Sequence, residues 1–354
     1  VSKLGRDTST QIHLERFAEL LEDPEITEIA INGPDEVFVE AAGVWRQVPC
    51  IVSETELLNL GTAVGRLCEQ EWNEQHPLLS ASVPLGRTTA ATGLAARELR
   101  LQLVRPPVVP PGTVSITIRK PALVERTLAE FGAAGLFAEV RTRDAHTSER
   151  GTDFHPDNRL AQLLKAGRIE EFLRAAVRER KNIVVAGATG SGKTTFMKAL
   201  VREIPIAERL ITIEDVRELN LPHPNRVHLL YSKGDQSSSR VTARDLLEAS
   251  LRMKPSRILL AELRGSECLY YVRNAASGHP GSITSVHAGS PELAFEQMAI
   301  MIKDSPGGAF LDFQTIQHLL RLTVDVVVQF QNREGRRSIS AIWFEPRGSA
   351  SSLI

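Results

Sequence analysis

The feature that most constrains this chain is the run Gly187-Ala188-Thr189-Gly190-Ser191-Gly192-Lys193-Thr194, set between the apolar stretch Asn182–Ala186 and a segment carrying Phe196, Met197 and Leu200. Glycines at these positions let successive backbone N–H groups turn inward around phosphate oxygens. The helix that the following segment predicts adds the positive end of its dipole. With GxxxxGKT spacing in a strand–loop–helix setting, Lys193 is expected to reach the β- and γ-phosphates and the Thr194 hydroxyl to ligate Mg²⁺, with Thr195 completing the loop. Such a loop follows a buried strand, so an α/β sheet covered on both faces is expected around it.

The remainder of the C-terminal half agrees. Strands are predicted at Asn182–Ala186, Leu210–Ile213, Arg257–Ala261, Ser282–Val286, Asp325–Phe330 and Ser338–Phe344. Thr242 and Asp245 have capping-box spacing for a helix ending near Met253, and a second helix runs from Ser266 to Gly278. Ligands in open α/β sheets gather at the carboxyl ends of strands, so the residues immediately after each strand are informative. Glu214 and Asp215 come after one, Glu262 and Arg264 after another, and His287 after a third. Glu214 is the candidate for polarising an attacking water, with Asp215 orienting. Glu262 is the candidate second acidic group for Mg²⁺, acting through water. His287 is the candidate γ-phosphate sensor. His279 and His287 are separated by a strand-length segment, which argues against a shared metal.

The first third reads as antiparallel α+β. An amphipathic stretch at Ile12–Leu21 precedes strands at Glu28–Ile31, Glu36–Val39 and Val44–Val48, with turns at Asn32-Gly33 and Gly43. Ser53 and Glu56 predict a capped helix running to about Trp72, and further strands are expected at Leu99–Val104 and Val114–Ile118, on either side of the turn Pro106–Gly112. Residues 123–158 lack a sustained period, and Thr142–Pro156 is strongly polar. They are read as an inter-domain linker with a short helix near Leu128–Phe137. The expected division is therefore 1–122, 123–158 and 159–354.

At 354 residues the chain is long for a single core. Its net charge of −1 leaves nucleic acid or acidic lipid no global attraction. Cys50, Cys68 and Cys268 form no CxxC pair, which argues against a zinc site and suits a reducing compartment. No apolar run approaches a membrane span and Val1-Ser2-Lys3 opens no signal-peptide core, so a soluble intracellular protein is expected.

Gly187–Thr194, Ile213-Glu214-Asp215, the segment Arg257–Arg264 and the segment Ser277–His287 resemble, in the same order, the Walker A, acidic box, Walker B and histidine box of the secretion traffic ATPases. Leu101–Pro107 and Val114–Pro121 are similar to that family's N-terminal domain, so the resemblance spans nearly the whole chain. Within the family the chain is most similar to the ring ATPases of bacterial type IV secretion systems. The related type II secretion and pilus motors carry a four-cysteine element after Walker B, where this chain has only Cys268. Ala261 stands where the family usually has glycine, and the polar stretch Thr142–Pro156 is long for this branch. The resemblance implies a RecA-like ATPase domain behind the N-terminal α+β domain, and a homohexameric ring with ATP bound between the two. It also implies that Arg105 and Arg119 touch the nucleotide. Implied partners are inner-membrane components of a secretion system and an exported protein or nucleoprotein. The implied place of action is the cytoplasmic face of the bacterial inner membrane, in pilus assembly or substrate export.

Other readings are weaker. Ser232-Lys233-Gly234-Asp235 mimics a guanine-reading motif but precedes the Walker B-like strand instead of coming after it. No LSGGQ-like signature or acceptor lid is present. A nucleotide-gated assembly scaffold is the alternative from a different class. A DNA-handling motor would rest on Arg333, Arg336 and Arg337 around Gly335, which a solvated turn explains equally; sequence-specific nucleic-acid binding is not expected.

Overall fold

A computed structural model describes residues 3–85, 97–120, 126–142, 156–231, 241–276, 278–333 and 336–346. Ser232–Asp235, residues 143–155, Pro121, Ser277 and Gly335 lie outside these residues. The chain divides into two compact units, one of Val1–Leu123 with Asp215–Arg217 and Ser232–Val241, the other of Val124–Glu214, Glu218–Tyr231 and Thr242–Ile354.

The first unit holds β1 (Ile26–Gly33), β2 (Glu36–Ala41), β3 (Val44–Val48), β4 (Leu78–Leu85), β5 (Arg97–Val104) and β6 (Ser115–Arg119). They form one sheet ordered β3-β2-β1-β6-β5-β4, antiparallel throughout. Period-two alternation sends Ile29, Ile31, Val37, Val39, Leu99, Leu101, Leu103, Ile116 and Ile118 into one core, where they meet Leu57, Leu60 and Val64 of the helix Glu54–Leu67. That helix opens on the expected capping box: the Glu56 N–H donates to Ser53 Oγ and the Ser53 N–H to Glu56 Oε2.

The helix stops at Leu67, short of Trp72. Glu69 takes a left-handed φ of 56°, and the chain doubles back to lay the Trp72 indole on Gly61. A Cβ on Gly61 would stand 2.0 Å from the ring, so only glycine admits this packing. The apolar periodicity continues through Trp72 because that side chain enters the same core from outside the helix.

The second unit contains β7 (Arg141–Thr142), β8 (Ile183–Ala186), β9 (Leu210–Glu214), β10 (Arg226–Leu230), β11 (Arg257–Leu260), β12 (Ile283–Val286), β13 (Val326–Arg333) and β14 (Arg336–Phe344). Two ladders are formed, β10-β9-β11 and β12-β8-β13-β14-β7, parallel except for the β13–β14 hairpin. β11 and β12 join them edge to edge. The Leu263 N–H donates to Ser285 O at 2.8 Å, Ser285 Oγ donates to Ala261 O at 2.8 Å, and Ser282 Oγ donates to Ile258 O. Serine hydroxyls thus stand in for ladder amides, and the strand order becomes β10-β9-β11-β12-β8-β13-β14-β7.

Both faces of this sheet are covered. Ile183 and Val185 point into one cluster while Val184 and Ala186 point into the other, and Val326 and Val328 oppose Val327 in the same way. Four fully or nearly buried residues per strand go with the apolar runs Ile183–Ala186 and Ile258–Leu260, while β12 buries Thr284 and Ser285 as well. At the amino edge, each polar atom of buried Asn182 has a hydrogen-bond partner, its backbone carbonyl accepting from the N–H groups of Asp325 and Val326. Its N–H donates to Asp325 Oδ2 and its side-chain amide to Thr323 O, while its Oδ1 accepts from the N–H groups of Gly281 and Ser282.

Within 123–158, Thr127 and Glu130 form a capping box for the helix Leu128–Ala133, and Leu128, Phe131 and Leu136 are buried in the second unit's core. Phe131 packs edge-on to Phe196 of the P-loop helix at 5.5 Å between centroids. The described part of that stretch, expected to be a connector, therefore contributes core.

Candidate active site

The loop after β8 is shaped by close approach. A Cβ on Gly187 would lie 2.9 Å from Phe330 Cβ and 3.0 Å from Phe330 O, so the loop can lie against β13 only with glycine there. Gly192 caps the helix Lys193–Arg202 with φ 103°, a left-handed value that favours glycine. Among the described residues, Ser191 Oγ is buried with no hydrogen-bond partner. Lys193, nearly buried, donates to the carbonyls of Gly187 and Ala188 at 2.8 Å each, which pins the ammonium at the loop's mouth. Ala188, Thr189, Gly190, Thr194 and Thr195 lie in the same loop and first helical turn.

Strand order then brings distant groups together. β12 lies between β8 and β11 although it comes after both in sequence. His287, just past β12, consequently stands between the group after β8 and the group after β11. Its Nδ1 is 3.3 Å from Lys193 Nζ and its Nε2 is 2.6 Å from Glu262 Oε1. A lysine ammonium can only donate, so Nδ1 accepts and Nε2 carries the proton toward the carboxylate. Partial burial, then the Lys193 charge, hold the His287 pKa below the ordinary histidine value against the opposing pull of Glu262. The neutral ring is the form this pairing requires.

Glu262 is mostly buried. Burial works to raise its pKa, but the Arg264 hydrogen bond and charge, with His287 and Lys193, outweigh it and hold the carboxyl below the usual range. Oε2 accepts from Arg264, and among the described residues Oε1 has no hydrogen-bond partner other than the His287 contact. An ionised carboxylate with an under-satisfied oxygen, together with the Thr194 hydroxyl, is a hard-oxygen donor set that suits Mg²⁺. Among the described residues no cluster of three His, Cys, Asp or Glu side chains could hold a metal by itself.

Glu214 ends β9 fully buried. Its Oε2 accepts the N–H groups of Glu218 and Leu219 at 2.8 Å each, while Oε1 is unbonded and lies 3.7 Å from His228 Nδ1. His228 Nδ1 also meets Thr212 Oγ1 at 2.8 Å. Sequence reading missed His228. The signal was weak because Arg226–Leu230 does not alternate cleanly, and only its parallel register on β9, His228 opposite Thr212, places the ring beside Glu214.

Asp215 groups with the first unit, where it lies 3.6 Å from Arg100 Nη2. Arg105 and Arg119 are also in that unit. Arg105 lies over the Trp72 ring at 5.2 Å, and Arg119 Nε is 3.6 Å from Glu28 Oε1. His279 precedes β12 and so falls at the opposite end of that strand from His287.

A P-loop on a mostly parallel sheet, with an acidic strand end separated from it by one intervening strand, defines a P-loop ATPase of the RecA-like class. The family model "Type II/IV secretion system protein" matches residues 160–335. The chain is 47% identical over 349 residues to the type IV secretion system protein VirB11 of Brucella suis biovar 1 (strain 1330), covering 96% of this chain and 91% of that one. It is 39% identical over 352 residues to VirB11 of Bartonella quintana (strain Toulouse), covering 97% and 96%. The crystal structure of the Brucella suis VirB11 ATPase in complex with sulphate superposes with a TM-score of 0.52 at 46% identity, covering 98% of this chain and 97% of that one. The pilus retraction motor PilT with bound ADP, at 17% identity, TM-score 0.57 and coverage of 93% and 82%, shares the fold. The chain belongs to the VirB11 family of type IV secretion ATPases.

Proposed function

We propose that this chain couples Mg²⁺-dependent hydrolysis of ATP to ADP and phosphate to type IV secretion, in pilus assembly or substrate export, as a homohexameric ring at the cytoplasmic face of the inner membrane. The observation that carries the catalytic part is the Lys193–His287–Glu262 line, three groups from three strand ends within hydrogen-bonding reach of their neighbours. The secretory part rests on the family. No helix among the described residues is long and apolar enough to cross a membrane, which is compatible with a peripheral position.

In this reading the loop N–H groups from Gly187 to Thr195 hold the α- and β-phosphates, and Lys193 exchanges its loop carbonyls for β- and γ-phosphate oxygens. Mg²⁺, held by Thr194 directly and by Glu262 through water, would neutralise phosphate charge. His287, neutral and donating from Nε2, keeps Glu262 oriented and reports the state of Lys193 when the γ-phosphate arrives. Glu214, with Oε2 anchored by backbone and Oε1 unbonded, orients the attacking water through Oε1. Arg105 and Arg119 are the further nucleotide-contacting residues of this reading. Inner-membrane secretion components and an exported protein or nucleoprotein are the partners.

Steady-state MgATP turnover of the purified protein and of Glu214→Gln tests the chemistry. Loss of a proton-accepting carboxylate is expected to cost on the order of a hundredfold or more in kcat with KM little changed. Equal turnover removes Glu214 from this role. The particle mass with and without MgATP tests the ring, and a monomer under both conditions refutes it.

A further inference from the structure

Arg337 is the second residue of β14, beside the P-loop, and neither the four-motif pattern nor the proposed mechanism uses it. Its Cδ lies 3.5 Å from the point a Cβ on Gly192 would occupy, so its aliphatic stem rests on the last glycine of the loop. The strand that carries it is firmly set. Asn332 pairs with Arg337 across the hairpin, Gln331 Nε2 donates to Ser338 Oγ at 2.9 Å, and the Ile339 N–H donates to Leu136 O at 3.0 Å. On the facing strand, Phe330 is buried against Gly187 and packs on Phe196 with ring centroids 4.9 Å apart. The neighbouring Arg336 faces Glu139, with Nη1 3.8 Å from the carboxylate. Arg337 is exposed and takes no carboxylate or hydrogen-bond partner among the described residues.

The like charges of this guanidinium, Lys193 and the positive end of the helix Lys193–Arg202 repel one another. An anion in the loop reverses the sign of that interaction. Position along the sheet says which part of the anion. His287 and Glu262, the groups set for the γ-phosphate end, stand just past β12 and β11 on one side of β8, while β13 and β14 lie on the other side. A triphosphate with its γ end at His287 extends its α end toward Arg337.

We infer that Arg337 is a nucleotide-binding residue that pairs with the α-phosphate, a site resting on the P-loop reading and additional to the groups assigned above. Arginine is suited to this because its planar fork meets a phosphate with two parallel N–H donors.

The test is ADP binding by calorimetry and the KM and kcat of MgATP hydrolysis, for wild type, R337A and R336A. Loss of one charge-assisted pair predicts ADP binding weakened by about tenfold or more in R337A. KM for ATP should rise in parallel and kcat at saturation should stay within about twofold. R336A removes the same charge one residue away and should bind ADP like wild type. Arg337 is exposed, so R337A should melt with wild type, and unaltered melting is required before affinities are compared. R337K keeps the charge if R337A does not fold, and should bind ADP more weakly than wild type because the fork is lost. Wild-type ADP affinity in the folded variant, an equal loss in R336A, or a fall in kcat at unchanged KM would each overturn the assignment. Failure of Lys193→Ala to weaken ADP binding would instead overturn the P-loop reading beneath it.

Discussion

His287→Ala is the most informative single change, because it removes one ring that touches two charged groups. The ring's Nε2 meets Glu262 at 2.6 Å and its Nδ1 meets Lys193 at 3.3 Å. A hydrogen bond to a charged partner contributes about 1.5–3 kcal/mol. The Lys193 contact is long, and Lys193 retains two carbonyl partners, so most of the loss falls on Glu262, whose Oε1 has no other partner. The ring is 44% exposed, and solvent replaces part of what is lost. About 2 kcal/mol remains, which corresponds to about thirtyfold in kcat/KM. The assay is steady-state phosphate release under saturating Mg²⁺, accompanied by a melting curve to show that the partly exposed site leaves the fold intact. A double-mutant cycle with Glu262→Gln isolates the pair, and the double variant should be less impaired than the product of the two singles. Activity within threefold of wild type, or strictly additive effects, would refute the claim that His287 acts through Glu262.

Two stability predictions concern buried groups away from the nucleotide. Arg257 is fully buried, with Nε and Nη2 donating to Glu208 at 2.8 and 3.0 Å and Nη1 to Val177 O at 2.7 Å, so Glu208→Ala strands most of a buried guanidinium and should cost about 3 kcal/mol in denaturant melts; a loss under 1 kcal/mol contradicts this. Burial raises the Glu208 pKa, but the Arg257 hydrogen bond and charge outweigh it and leave it lowered. Its stabilisation is therefore complete above the ordinary glutamate value and is lost as pH falls through the lower folded value, and that part of the acid-limb slope should vanish in Glu208→Gln. Gly61→Ala gains about 1 kcal/mol of helix propensity but drives a methyl into the Trp72 ring, so a net loss of about 1–2 kcal/mol with a red-shifted tryptophan emission is expected; a stabilised variant would show that the indole moves aside freely.

Much of this protein is legible in the chain because its strongest signals are local. A phosphate loop is a continuous segment whose backbone does the binding, so spacing alone identifies it. The Ser53–Glu56, Thr127–Glu130 and Thr242–Asp245 capping boxes are likewise i to i+3 events. Strands buried on both faces carry short apolar runs such as Ile183–Ala186 and Ile258–Leu260, which made the central strands of the second unit easy to place. Trp72 is the instructive failure: its apolar character extends the period of the helix before it, yet the glycines at 61 and 65 had already opened the space it occupies from beyond the helix end. β10 and His228 were missed because a strand near the sheet's edge carries polar residues and its partner is set by register.

The sequence by itself determined that a P-loop motif stands at Gly187–Thr194 and that acidic and histidine groups end the neighbouring strands. Only the tertiary structure decided which of those groups meet. β12 comes after β11 in the chain but inserts between it and β8, so His287 reaches both Lys193 and Glu262, while Glu214 is anchored by the backbone of its own turn. Arg337, which read as a solvated turn residue, rests on Gly192 through the pairing of β14 with β13. Strand order and register are long-range choices, made by which apolar faces can be buried together, and no local spacing records them.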